Sequence, residues 1–243
     1  MNTENAETVV SGANIPGKHI LDNAVVSGGE AEVYDKAKVY DDAMVSGGAK
    51  VFGKATVDGK AKVFGDAKVY DKAWVGGNAQ VYGNAYVNGY AEVSGDAKVS
   101  GNVKVWGKAV VSGDANVSGK AKVYGNAHVY GYATVAGNAK VYGGAQVSGD
   151  AEVWGDAEVN GSAKVYGGAK VFGKAKVSGN AKVYGDAVVW GKAKVYGNAE
   201  VFGKATVDGK ANISGDAVIL GGNWNGSEGP ITSGRWKAPG VPA

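Results

Sequence analysis

From Val33 to Gly222 the chain repeats a phrase of six residues without losing phase. Taking valine as position 1, the phrase reads Val, then Tyr, Ser, Phe or Trp, then Gly, then Asn, Asp or Lys, then Ala, then Lys, Glu or Thr. Position 1 is Val from 33 to 219 except for Ile213 and Ile219, and position 5 is Ala from 37 to 217 except for Val103. Gly holds position 3 from 35 to 221, with Asp35, Asp41 and Asp71 as the departures. An amphipathic helix would place apolar residues three and four apart, whereas here Ala and Val are two apart and then four apart. Two apart is one side of an extended strand, so Ala-x-Val predicts a short strand with both side chains inward. Gly followed by Asn, Asp or Lys predicts a corner, because Gly tolerates unusual backbone angles and Asn and Asp reach the left-handed region more readily than most residues.

Strand and corner in alternation make a coil. Three phrases, 18 residues, close a triangular turn, and successive turns stack as parallel strands at about 4.8 Å. The expectation is therefore an all-β, single-stranded triangular parallel β-helix (β-solenoid) with 18 residues per turn. A narrow tube has room for one β-branched side chain per side and a methyl near each corner, which accounts for Val and Ala.

This phrase resembles the hexapeptide-repeat, left-handed parallel β-helix proteins, whose units carry an aliphatic residue followed four places on by a small one. The resemblance covers residues 33–222 and implies left-handed coils and a trimeric assembly. A right-handed triangular solenoid of the bactofilin type is the alternative. The best-known members are acyltransferases with a His base and a long loop; others bind zinc through three His. This chain has two histidines, His19 and His128, and no cysteine, so a three-His site within one subunit and any thiolate site are excluded. Some thirty phrases pass without a loop that could carry a pocket. We therefore expect no catalytic residue, no metal and no cofactor.

The flanks read differently. Residues 1–32 form an irregular first coil or cap, in which Gly29 is in effect an inserted residue and Pro16 and the His19-Ile20-Leu21 cluster break the pattern. Residues 223–243 hold three of the four prolines and two of the six tryptophans. Trp224 and Trp236 are read as lids over the last coil, against the alternative of a tail that docks on a partner. No apolar run approaches a membrane span, and residues 1–30 lack a signal peptide's pattern, so a cytoplasmic location is expected, or a virion if the protein is phage-encoded.

With 18 residues per turn, outward positions become columns. On one face position 6 reads Lys50, Lys68, Tyr86, Lys104, Lys122, Lys140, Glu158, Lys176, Lys194 and Asn212. Position 2 of the same strands includes Phe52, Tyr70, Trp106, Tyr124, Tyr142 and Tyr196. A row of lysines costs repulsion. It predicts either an anionic-ligand face (nucleotide, nucleic acid or acidic glycan), centred on Lys104, Lys122 and Lys140 with Trp106, Tyr124 and Tyr142, or simple shielding of the strands by Lys and aromatic side chains. The columns Trp154, Phe172, Trp190 and Tyr166, Tyr184, Phe202 predict an oligomer interface, a homotrimer by default, against a monomer with shielded strands. The functional expectation is a non-enzymatic binding or structural module. The competing readings are an acyltransferase assembled across a trimer interface and a self-assembling rigid spacer.

Overall fold

The computed structural model describes the backbone of residues 9–11 and residues 20–237 in full. His19, Pro16 and the other residues of 1–8, 12–19 and 238–243 lie outside the described residues. The described chain is all β: short parallel strands, mostly two residues each, joined by corners. No helix long and apolar enough to cross a membrane occurs among the described residues. The chain divides into two units, Met1–Gly119 and Lys120–Ala243, each built from coils of about 18 residues that contribute one strand to each of three faces.

In the first unit the first face carries Val25–Ser27, Met44–Ser46, Lys62–Val63, Gln80–Val81, Lys98–Val99 and Asn116–Val117. The second face runs from Glu32–Val33 to Lys104–Gly107, and the third from Lys38–Val39 to Val110–Val111. In the second unit the first face runs from Thr134–Val135 to Asn223–Trp224 and the second from Lys122–Gly125 to Asn212–Ile213. Its third face runs from His128–Val129 to Arg235–Lys237. The register is strict. Val51 pairs with Val69, Val69 with Val87 and Val87 with Val105, each 18 residues on.

Every position-1 Val and position-5 Ala of the repeat is buried, and so are Val103, Ile213 and Ile219. Each coil covers the apolar side chains of the coil before it, which lets a tube with no second layer hold together.

The corners are made at position 3. Its glycines have φ between 58° and 80° from Gly47 to Gly215, and the three departures follow suit: Asp35 at 61°, Asp41 at 59° and Asp71 at 61°. Glycine dominates because corners sit on one another. A Cβ at Gly65 would lie 3.0 Å from the backbone nitrogen of Gly83. The aspartates compensate by accepting from the corner one turn on: the amides of Gly53, Gly59 and Gly89 donate to Asp35, Asp41 and Asp71 at 3.2, 3.1 and 3.1 Å.

Three places break the 18-residue register, the first where Val10 pairs with Val26, a step of 16. Val26 pairs with Val45, a step of 19, and the surplus residue falls at the Gly28-Gly29 corner. Near the other end Val207 pairs with Trp224 and Ile219 with Trp236, steps of 17. Ile231 bridges Ile213 between them. The last coil thus replaces the three inward valines by Trp224, Ile231 and Trp236, with the two indoles edge to face at 6.0 Å. Trp224 and Ile231 are buried, whereas Trp236 is 42% exposed.

Candidate functional site

The second face carries the lysine row in both units, and several of its side chains meet a neighbour one turn away. In the first unit Lys50 Nζ meets Glu32 Oε2 at 2.8 Å. Further on, Tyr86 stands between two lysines, with Lys68 Nζ 5.4 Å and Lys104 Nζ 5.7 Å from its ring centre. In the second unit Glu158 accepts from Lys140 at 3.0 Å and from Lys176 at 3.1 Å, so one carboxylate joins three turns. These bonds, the one from Lys140 foremost, hold the Glu158 carboxyl below its ordinary range, and the same bond raises Lys140. Tyr86 and Glu158, which interrupt the row, and Glu32, one turn ahead of it, are the partners of the lysines beside them. Lys122 and Lys194 make no ion pair among the described residues.

The aromatic row beside it is closed in a different way. Tyr34, Phe52 and Tyr70 stack with centres 5.0 and 4.8 Å apart and planes within 2°. Tyr124 and Tyr142 stack at 4.8 Å. Rings at strand spacing cover each other's faces, so those inside a stack offer solvent only their edges. Of the six residues singled out for an anionic ligand, Lys104 and Trp106 belong to the first unit and Lys122, Lys140, Tyr124 and Tyr142 to the second. Lys104 and Lys122 are exposed, Lys140 is tied to Glu158, and the three rings are half-buried.

The two other aromatic columns lie in the second unit. Trp154, Phe172 and Trp190 stack at 4.1 and 5.8 Å on the first face, and both tryptophans stay about two-fifths exposed, at 38% and 40%. Tyr166, Tyr184 and Phe202 stack at 4.9 and 4.7 Å on the third face and are half-buried. There the Tyr184 hydroxyl donates to Glu200 Oε2 at 3.2 Å while Lys182 bonds Glu200 Oε1 at 2.8 Å. Burial first, then the Glu200 charge, pushes the Tyr184 phenol up to about 12.

His128 is exposed on a regular strand, level with Gln146 on the next coil. Among the described residues no three of His, Asp and Glu are grouped to hold a metal ion. A concavity of about 490 Å³ lies in the first unit, lined by Gly29, Glu30, Glu32, Gly48, Lys50, Asp66 and Lys68. The sequence signal for it was the surplus residue at Gly29: an extra link at one corner leaves a notch that a perfect repeat would fill. Its lining mixes three carboxylates with two ammonium groups, one pair of which already neutralises itself.

Comparison with known proteins agrees with the coil. A family model described as the YdcK beta solenoid repeat matches residues 79–95, close to one turn. A search of curated proteins gives no match. The match supports a β-solenoid repeat protein.

Proposed function

We propose that this chain is a non-enzymatic structural module whose product is a stiff, evenly spaced surface. The observation that carries the reading is the cross-turn closure of its outward groups: the charged interruptions pair with the lysines beside them, and the rings stack on one another. Side chains that satisfy each other along the axis brace neighbouring coils, and they occupy Lys50, Lys140 and Lys176 of the second face within the wall. Placement in the hexapeptide-repeat class, with left-handed coils, belongs to the same proposal, and the aliphatic-then-small spacing supports it. A folded-state ligand raises thermal stability. Incubation with acetyl-coenzyme A should therefore leave the melting temperature unchanged, and a reproducible rise would overturn the structural reading in favour of an acyltransferase.

The exposed tryptophans favour one addition, self-association. Trp154 and Trp190 present a flat apolar strip of the kind that marks contact surfaces. Light scattering should give the mass of a trimer for the natural chain and of a monomer for W154S/W190S. A monomer in both cases removes the assembly and leaves the scaffold.

A further inference from the structure

The first unit has a second lysine column, at position 4 of the corner that follows the second face. It reads Lys36, Lys54, Lys72, Tyr90 and Lys108, one residue per coil, and all five are exposed. The corner backbones are in direct register. The amides of Lys36, Lys54, Lys72 and Tyr90 donate to the carbonyls of Gly53, Asp71, Gly89 and Gly107 at 2.8, 2.5, 2.9 and 2.7 Å. The side chains therefore leave the corner from equivalent points, one strand spacing apart.

None of these four lysines enters an ion pair among the described residues. The nearby acids in sequence are Asp35, Asp71 and Glu92. Asp35 and Asp71 are turned into the wall: each accepts the amide of a glycine one turn on, and Asp71 also accepts from Asn88 at 3.4 Å. A short carboxylate bound to backbone beneath a longer ammonium leaves the position-4 column cationic, with the exposed Glu92 on the strand that follows it. The column's single neutral member is drawn into it. Lys72 Nζ donates to the Tyr90 hydroxyl at 2.8 Å and lies 4.7 Å from its ring. The Tyr90 phenol is lowered by that bond and by the Lys72 charge, with Lys108 and Lys54 adding to the effect.

We infer that this corner is a docking edge for a linear acidic polysaccharide lying along the coils. Carboxylate or sulfate groups on successive sugars, each about as long as one coil is high, meet one ammonium per coil, and the Tyr90 hydroxyl bridges the gap between Lys72 and Lys108. A single-stranded nucleic acid offers similar charge but needs free aromatic faces for its bases. The neighbouring rings Tyr34, Phe52 and Tyr70 are stacked on each other with planes 1° to 2° apart, which withholds both faces of Phe52 and one face each of Tyr34 and Tyr70. The inference is independent of the scaffold proposal, since a structural module can carry such an edge.

Heparin, a sulfated glycan, is the probe, with oligo(dT) as the comparison, titrated into the full chain at several salt concentrations. K36Q/K54Q/K72Q/K108Q should lose roughly tenfold or more in heparin affinity and show a shallower salt dependence, as fewer counter-ions are released. K62Q/K98Q/K164Q/K204Q removes the same charge from scattered exposed sites and should bind nearly as the natural chain does. Melting curves of both variants verify folding. No heparin binding by the natural chain, or equal losses in the two variants, overturns the edge. Tighter binding of oligo(dT) through the same four lysines overturns the assignment to a polysaccharide.

Discussion

At the scale of single residues, the corner decides what the chain can be. Position 3 must be left-handed and must also tolerate another backbone about 3 Å from where its Cβ would be. Gly65→Ala should cost about 1–2 kcal/mol, the usual penalty for a side chain in that region. Gly65→Asp should cost less, because its carboxylate can take the Gly83 amide as Asp35 takes that of Gly53. Chemical denaturation of the two variants checks the order, and equal losses would mean that the amide bond compensates nothing. Ionisation gives a second expectation. Glu158 and Glu200 are lowered from 4.5 chiefly by bonds from Lys140 and Lys182, so the folded state is favoured above the unfolded value. That contribution fades as pH falls through the lowered values. Melting temperature should therefore drop on acidification below about 4.5, by a smaller amount in E158Q/E200Q. Tyr184 works at the other end. Its phenol is raised to about 12 from 10.0, so its contribution is complete below 10.0 and is lost as pH climbs toward 12. Ultraviolet titration should reveal a late tyrosinate component, part of which moves down in E200Q.

At the scale of strands, the inward half of each phrase was legible because the tube admits only Val and Ala, and composition repeats a geometric limit. The 18-residue column followed from three such strands closing a turn, which is why Lys50, Lys68 and Lys104 could be placed on one face in advance. What Glu158 does there was not legible. Sequence order showed it as a gap in a lysine row, and only side-chain reach shows that it bonds Lys140 and Lys176 together. The aromatic row is a similar case. Tyr124 and Tyr142 could be aligned from their numbers, but ring orientation decides whether a face or an edge meets solvent. The notch at Gly29 was visible as a phase slip, while its carboxylate and ammonium lining depends on how far each side chain extends.

At the scale of the whole molecule, each unit is a stack of coils that touch mainly their neighbours, so its stability is a sum over neighbours and an uncovered end is a weak point. In the second unit the last coil seats Trp224 over the Val207 position and Ile231 over that of Ile213. Ending the chain after Gly222 should lower the melting temperature and make light scattering grow with concentration, since an open strand edge pairs with other chains. Unchanged melting would show that the final coil needs no cover.

Strict phase also separates two kinds of length change that look alike in a gene. Excising residues 159–176 removes one whole winding and brings Trp190 to where Phe172 lay against Trp154, so the indole keeps an aromatic neighbour. Excising residues 159–164 leaves the buried Val and Ala in step but turns everything downstream by a third of a revolution, and Trp154 then meets Ser178. Near-ultraviolet dichroism would tell the two apart. Such a chain can be lengthened or shortened by full windings with its exterior intact, and by thirds of a winding with its exterior reshuffled: the interior is indifferent to an edit that rewrites the outside.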